Sequence, residues 1–350
     1  MVEKLIKRKK EERFLQTGTK RKLIWASALA LFIIISGAVT LGNFTIPFKS
    51  VFAAIWTRLG FGSVEDNNFL VIVCDVRLPR IILAALGGMG IAMSGTVFQG
   101  VFRNPLVEPY VLGISSGAAF GAALSIVFLN KLVSVGLMAF VFAVAAMAMS
   151  YSIATKQRQT PLVNLILSGM IVGSIFTALL NLVKTMAPDS KLREITFWLM
   201  GGFYTATWQD VLFLLPTVLL SLLILWKLAW RLNVLSVGEQ EARSLGINVG
   251  ALKIVLLGIS TFLTASIVSR AGIISWVGLM IPHAARMLLG PDHRFLIPFA
   301  AFLGGTFLVI CDTIARTVIM GEIPISIITS ILGAPYLIYL IRKNRQVSLG

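Results

Sequence analysis

Residues 77–121 read RLPRIILAALGGMGIAMSGTVFQGVFRNPLVEPYVLGISSGAAFG and contain the pattern that decides the fold. After the basic turn RLPR, the apolar run from Ile81 to Val101 has the roughly 20 residues that an α-helix needs to cross about 30 Å of hydrocarbon. The polar turn RNPLVEP, with two prolines, interrupts this run, and a second apolar run follows. The stretch therefore predicts a transmembrane hairpin.

Glycines recur at intervals of four in the second arm of this hairpin. Gly113, Gly117 and Gly121 fall nearly in line on one face of a helix, and Gly169 and Gly173 form a second pair with the same spacing. Small residues at this spacing let helix backbones approach closely in lipid, where packing drives association. Both faces are therefore predicted to pack against other helices.

The composition places the whole chain in a membrane. Of 350 residues, 57% are hydrophobic and 13% are charged, which is too apolar for a soluble domain. The formal charge of +16 could suggest nucleic acid as a partner. The basic residues instead form short clusters between apolar runs, where they report membrane orientation, so we expect no nucleic-acid binding.

No motif predicts a metal site or a catalytic site. Cys74 and Cys311 are too few for a disulfide framework, and their spacing matches no metal motif. His283 and His293 lie too far apart to share one helix face. The sequence contains no Walker A phosphate loop, and its serines lie in apolar runs without a paired base. We expect neither ATP binding by that motif nor catalysis by this chain.

The apolar runs predict an all-α, polytopic fold with one permease domain of about ten spans, residues 23–341. The hairpin supplies spans two and three, and the other eight are predicted at 23–41, 132–153, 161–183, 211–230, 251–269, 272–289, 295–320 and 324–341. A basic segment, residues 1–22, precedes the domain, and a basic tail, residues 342–350, follows it.

Three segments are not predicted to span the membrane. Residues between Ile46 and Leu59 have apolar side chains at three- to four-residue spacing, which is typical of a helix in the membrane interface. Residues 184–210 are broken by Gly201 and Gly202, and a short interfacial or re-entrant helix fits them best. Residues 231–250 form the longest internal polar segment of helical character.

The distribution of basic residues predicts that both termini are cytoplasmic. With ten spans, 21 of the 31 Lys and Arg residues fall in cytoplasmic segments. Arg77, Arg80 and Arg316 are exceptions, because they lie close to the external ends of spans and need a partner there. Asp312 lies four residues before Arg316, so an internal ion pair is one alternative. Mid-span acidic residues are otherwise scarce, which argues against ion coupling and for an external energy source.

Several motifs, in order and over nearly the whole chain after about residue 40, resemble the permease subunits of ABC importers for ferric siderophores, haem and cobalamin. They are RLPR at residues 77–80, RNPLVEPYVLGISSGAAFGAAL from 103, FWLMGG from 197, LSVGEQEARSLGI from 235, ISWVGLMIPHAARMLLGPDHR from 274, CDTIAR from 311 and EIPISIITSILGAPYLIYLI from 322.

The resemblance implies a cobalamin-importer-permease-like fold in the cytoplasmic (inner) membrane of a prokaryote. It further implies that two permeases, identical or related, surround a central path. Two ATP-binding subunits would hold ATP and Mg on the cytoplasmic face, and an extracytoplasmic substrate-binding protein would dock outside. This chain itself would bind no cofactor.

The resemblance also assigns residues. A compact polar segment would couple this chain to the ATPase, through Gly238, Glu239, Glu241, Ala242, Arg243 and Gly246. The alternative interpretation of this segment is an ordinary solvated loop. Docking of the binding protein would fall to Arg77, Arg80 and Arg316, because guanidinium groups bind carboxylates bidentately. The alternative for these arginines is contact with lipid headgroups or internal pairing.

The inner gate would be formed by two turns, with Asn104 and Leu106 in one and Thr160 and Leu162 in the other. Spans five and ten and the break near Gly201 would line the path, which is smooth and carries few charges. We expect a ferric siderophore as substrate. Haem, cobalamin and molybdate stay open within the same architecture, and a stand-alone secondary transporter or channel and an intramembrane enzyme are the rivals.

Overall fold

The computed structural model describes residues 16–42, 46–61, 67–129, 132–155, 160–318 and 322–345, and every regular element in these ranges is helical. The helices in chain order are α1 (Thr17–Thr40), α2 (Phe48–Arg58), α3 (Asn67–Leu70), α4 (Leu78–Phe102), α5 (Ile114–Val127), α6 (Val135–Ala154), α7 (Leu162–Met186), α8 (Asp189–Met200), α9 (Trp208–Val237), α10 (Glu239–Ser244), α11 (Val249–Ala271), α12 (Val277–Leu289), α13 (His293–Thr317) and α14 (Ile325–Arg345). A π-helical segment, Val71–Arg77, joins α3 to α4, and a short 3-10 helix, Pro109–Leu112, precedes α5. The all-α prediction is confirmed.

Within the described ranges, six helices are long and apolar enough to cross a membrane: α1, α6, α7, α9, α11 and α13. Helix α4 adds 25 residues, which is about 37 Å of helix at 1.5 Å per residue. Helices α5 and α12, with 14 and 13 residues, are shorter than a lone span requires. A polytopic membrane protein is confirmed, while the count of ten spans stays a prediction.

Helix α4 forms the centre of the bundle. Every residue from Pro79 to Phe102 except Ile82 is buried, and the helix packs against α1, α9, α11, α12 and α13. A helix that is apolar all round belongs in the interior of a large bundle. The first arm of the predicted hairpin is therefore a core helix.

Two glycines of α4 explain how closely its neighbours approach. A Cβ atom on Gly88 would overlap the carbonyl of Gly304 in α13, and one on Gly95 would overlap the carbonyl of Gly278 in α12. Backbone therefore packs directly on backbone at both crossings, as small residues allow. A larger side chain at either position would push the helices apart.

The glycines of the hairpin's second arm pack against α6. A Cβ atom on Gly117 would overlap the carbonyl of Phe142, and one on Gly121 would overlap the carbonyl of Met138. Gly113 differs from the other two, because it precedes α5 with a φ of 78°. The glycine line is thus split between a helix face and the turn that begins the helix.

Gly113 faces the glycine pair of α7. Its Cβ position would lie 3.2 Å from the backbone nitrogen of Gly173, and a Cβ atom on Gly169 would overlap the carbonyl of Val111. The turn before α5 therefore seats directly on the small-residue face of α7. The glycine line that begins at Gly113 therefore contacts the glycine pair Gly169 and Gly173.

In the predicted broken segment, residues 184–210, the backbone after α8 meets the backbone after α11. Helix α8 ends at Met200, and Gly201 and Gly272 adopt φ angles of 63° and 67°, which suit glycine. The amide of Gly202 donates to the carbonyl of Ala271 at 2.8 Å. Span eight was predicted to begin at residue 272, but its helix begins at Val277, since this junction holds the intervening residues out of helical geometry.

Helix α9 is longer than predicted. It continues through Val237, so residues 231–237 of the predicted loop 231–250 are helical, and only six residues form α10. Leu225, Leu232 and Leu235 are buried on one face of α9. This apolar periodicity carries the helix beyond the predicted end of span six at residue 230.

Candidate functional site

The predicted docking arginines and the predicted coupling segment lie at opposite ends of α4. Arg80 is in its first turn, whereas the carbonyl of Gly100, near its last turn, accepts a 3.1 Å hydrogen bond from the hydroxyl of Ser236, just before α10. We call the end that holds Arg77, Arg80 and Arg316 the arginine end. We call the opposite end, which holds α10, the α10 end.

Helix α10 is a short polar knob whose buried base includes Ala242. Ala242 is fully buried, while Glu241 and Arg243 are exposed. The carboxylate of Glu241 folds back over Gly238, where a side chain would collide with it. Glu239 and Glu241 occupy the first turn, where the helix dipole favours negative charge. The knob therefore has a fixed base and an exposed polar face.

The turn after α10 depends on glycine. Gly246 has a φ of 75°, a conformation that other L-residues rarely adopt. Leu245, directly before it, is 61% exposed.

Lys253, in the second turn of α11, joins α10 to the turn before α7. Its Nζ donates to the Oε1 of Glu239 at 2.6 Å and to the carbonyl of Thr160 at 2.9 Å. The side chain of Lys253 is only 3% exposed. From the sequence, Lys253 is only one of the 21 basic residues predicted to be cytoplasmic, although a lysine inside the apolar run ALKIVLLG is a signal for an intramembrane partner.

The four residues of the predicted inner gate lie in two turns of the α10 end. In the first turn, the Oδ1 of Asn104 accepts from the amide of Leu106 at 2.9 Å, and Leu106 is 54% exposed. In the second turn, Thr160 is buried and its Oγ1 lies 3.0 Å from that of Thr155. Leu162 begins α7 and is half-buried.

At the arginine end, two of the three arginines close the C-terminus of α1. Arg77 donates to the carbonyls of Val39 at 2.7 Å and Thr40 at 3.2 Å. Arg316 donates to the carbonyl of Leu41 at 2.6 Å and to that of Ala38. The last carbonyls of a helix lack partners within it, so two guanidinium groups satisfy them and complement the dipole.

The third arginine lies in a buried ion-pair network. The Nε of Arg80 donates to Asp312 at 2.9 Å, and the Nη1 of Arg80 donates to Glu322 at 2.6 Å. Arg316 and Asp312 approach to 3.6 Å, so the predicted pair at positions i and i+4 exists, but Arg80 is the nearer partner of Asp312. Asp312 is 1% exposed, whereas the side chain of Glu322 is 44% exposed.

The three predicted docking arginines are therefore held by groups of the same chain. Their exposed fractions are 6% for Arg77, 8% for Arg80 and 7% for Arg316. Internal pairing, the alternative left open from the sequence, is what the structure shows for this chain by itself. An incoming carboxylate would reach Arg80 most directly by replacing Glu322.

A cleft of about 790 Å³ opens beside this network at the arginine end. Its walls carry Arg193, which is exposed, and Arg270, which pairs with Asp210 at 2.9 Å. Tyr204 also lines the cleft, and burial raises the pKa of its phenol. Sequence analysis did not single out these residues, because they come from three separate segments.

A polar cluster at the α10 end fixes the start of α13. Asp292 caps α13 and accepts from the side chain of Asn233 at 2.7 Å, while Asn233 accepts from the amide of His293 at 2.8 Å. Burial acts to raise the pKa of Asp292, but hydrogen bonds from Arg294 and Asn233 outweigh it and lower the pKa to about 2. Among the described residues, no group of three or more His, Cys, Asp or Glu side chains could hold a metal ion.

Helix α7 presents a continuous apolar face to the outside of the chain. Its exposed large apolar residues recur at intervals of one to four positions and are Val163, Leu167, Met170, Ile171, Ile175, Leu179, Leu182 and Met186. The helix has 28% of its most apolar window buried, against 67% for α11. Lipid or a second chain must cover this face.

The helical bundle, with six described helices long and apolar enough to cross a membrane, defines a polytopic membrane protein. The sequence matches the FecCD transport family over residues 28–343, and the chain belongs to this family. By its similarity to the importer permeases described next, the chain is an ABC importer permease.

Two relatives cover nearly the whole chain. A molybdate import system permease protein of Haemophilus influenzae is 37% identical over 95% of this chain and 98% of its own length. A cobalamin import system permease protein of Halobacterium salinarum is 39% identical over 94% and 90%, respectively. A solved structure of an inward-facing conformation, assigned to the metal-chelate type of ABC transporter, superposes with a TM-score of 0.83 at 37% identity and covers 92% of this chain and 99% of that one.

Proposed function

We propose that this chain is the membrane subunit through which a binding-protein-dependent importer takes up a ferric siderophore, using ATP hydrolysed on two partner subunits. The observation that carries the proposal is α10, an exposed polar knob on a buried base, in a chain of the FecCD family. Glu241 and Arg243 offer both signs of charge to a partner cleft. ATP and Mg belong to that partner.

The proposal places the α10 end in the cytoplasm. The chain's 31 Lys and Arg residues lie mainly in segments on that side, and both termini belong there. The arginine end then faces outward, toward the binding protein. Docking there engages Arg77, Arg80 and Arg316, with Arg80 the most accessible to a carboxylate that replaces Glu322.

A second permease subunit, identical or related, covers the apolar face of α7. This arrangement sets α7 beside a central path and brings the turns of Asn104 and Thr160 to its inner mouth as a gate. Partner subunits that bind one conformation better than another shift the pair between outward- and inward-facing states. The wall of α7 is apolar and uncharged, which suits the release of a bulky chelate.

Uptake into vesicles tests this function. The tagged chain is purified from its native membranes with its ATP-binding subunits, reconstituted, and supplied with binding protein loaded with ferric siderophore, cobalamin, haem or molybdate. We expect ATP-dependent accumulation of the ferric siderophore. Accumulation of another cargo would correct the substrate, and uphill uptake by this chain alone without nucleotide would contradict the importer.

A further inference from the structure

Lys253 is the most deeply buried lysine among the residues that the structure describes, ahead of Lys20, which is 8% exposed. Only 2% of the residue is exposed. Removing an ammonium ion from water costs several kcal/mol unless hydrogen bonds and an opposite charge compensate. An apolar residue here would avoid that cost, so the position calls for an explanation beyond packing.

The two partners of Lys253 come from two different segments of the α10 end. The Oε1 of Glu239, in the first turn of α10, lies 2.6 Å from Nζ, and the carbonyl of Thr160, before α7, lies 2.9 Å away. Glu239 and Thr160 are 79 positions apart in the sequence. One side chain therefore ties the predicted ATPase-docking knob to the predicted gate.

The charge-assisted contact is the strong part of this tie. The distance of 2.6 Å between the Nζ of Lys253 and the Oε1 of Glu239 is short for an ion pair, and the lysine is buried. Arg243 also approaches Glu239, but at 3.7 Å and with a side chain that is 56% exposed, so it holds Glu239 only weakly. A displacement of α10 therefore acts on Lys253 first.

We propose that Lys253 is the positioning residue that transmits movement of α10 to the turn before α7. When a partner subunit displaces α10, Glu239 carries the ammonium group with it, and the ammonium group moves the carbonyl of Thr160. This proposal rests on the proposed function, because it needs a partner that moves α10. It adds a named link between the docking knob and the inner gate.

A labelling experiment on the native complex tests the link. Pro161, directly after Thr160 and exposed in the turn before α7, is replaced by cysteine as a reporter, and the two native cysteines are buried. The reaction rate with a membrane-impermeant maleimide is measured without nucleotide and after trapping with ATP and vanadate. We expect the rate to change about tenfold in the otherwise native complex, within the usual range of coupling between sites.

The variant Lys253→Met removes both contacts while keeping an apolar side chain of similar length. We expect it to co-purify with the ATP-binding subunits and to lose the nucleotide-dependent change in labelling. Lys227→Met is the matched control, because Lys227 is an exposed lysine of α9, and it should keep the full change. A full change in Lys253→Met overturns the proposal.

Glu239→Gln provides a second test that does not disturb the buried site as much, since Glu239 is 28% exposed at its side chain. If the two residues act in series, the double variant loses no more than Lys253→Met alone, whereas independent effects add. Additive losses overturn the link. If the native complex itself shows no nucleotide response, the proposed function falls and this inference falls with it.

Discussion

The residues predicted to bind partners at the two ends of the bundle differ in burial. At the arginine end, Arg77, Arg80 and Arg316 are buried and bind carbonyls and carboxylates of their own chain. At the α10 end, Glu241 and Arg243 are exposed on a six-residue helix. Buried charges are costly to leave unpaired, whereas exposed charges contribute little to folding and stay available to a partner. The difference separates residues that hold the bundle together from residues that present a surface.

The largest effect is expected from the buried network. Asp312→Ala removes the carboxylate that lies 2.9 Å from Arg80 and leaves that guanidinium partly unpaired. We expect a loss of about 3–5 kcal/mol in the free energy of unfolding, because a broken buried pair leaves an uncompensated charge. Thermal unfolding of the detergent-solubilised chain measures it.

The exposed pair at the same end serves as the control. Arg58 and Asp75 also lie 2.9 Å apart, but their side chains are 56% and 36% exposed. Asp75→Ala should cost at most about 1 kcal/mol. Equal losses in the two variants would show that burial does not distinguish these pairs.

At the α10 end, the expected effect is on association and not on folding. Glu241→Lys reverses one charge on the exposed face of α10, and we expect the affinity for the ATP-binding subunit to fall about tenfold, as rim charges and coupling sites usually give. Co-purification and thermal unfolding are measured together. Arg193→Glu, at the opposite end, should leave the association as it is; an equal fall in both variants would contradict the assignment.

At the arginine end, we expect a smaller change, and it is a gain in affinity for the binding protein. Glu322→Gln removes the exposed carboxylate that occupies Arg80 at 2.6 Å, so a carboxylate from the binding protein meets less competition. We expect about threefold tighter docking in a pull-down titration. Glu194→Gln, which removes a carboxylate from the cleft wall, controls for general charge. If Glu322→Gln does not tighten docking beyond that control, Arg80 is not the docking group.

The smallest effect is a pH dependence at the α10 end. The pKa of Asp292 is about 2 in the fold, below the ordinary 3.8, so its ionised form is stabilised by folding. That contribution is complete above about pH 4 and is lost as the pH falls through 2. The stability difference between the native chain and Asp292→Asn should follow this course in thermal unfolding. A difference that is constant down to the lowest pH would contradict it.

Local patterns in the sequence predicted local structure well. Glycine spacing identified the close contacts of Gly117 and Gly121, and the doubled glycine after Met200 marked the end of α8. The polar segment 231–250 was predicted to have helical character, and six of its residues form α10. Each of these depends on backbone conformation or on neighbours within a few positions, which periodicity and glycine chemistry report directly.

Partners that are distant in sequence could not be predicted in the same way. Reasoning along one helix paired Asp312 with Arg316, but the nearer partner, Arg80, is 232 positions away. Lys253 was likewise read as a cytoplasmic charge, because nothing in a single sequence places Thr160 beside it. The choice among possible partners of a buried charge is made by the packing of helices, which one sequence without its fold does not contain.

The direct backbone contacts of α4 have a consequence for any transport cycle. Gly88 and Gly95 leave no space for a Cβ atom between α4 and its neighbours α13 and α12, so sliding any of these three helices would bring larger side chains against the carbonyl groups at these crossings. They must travel as a single block. Rearrangement during transport is thereby left to the outer helices, among which α7 packs on α5, α6 and the turn before α5 and leaves most of its own surface uncovered.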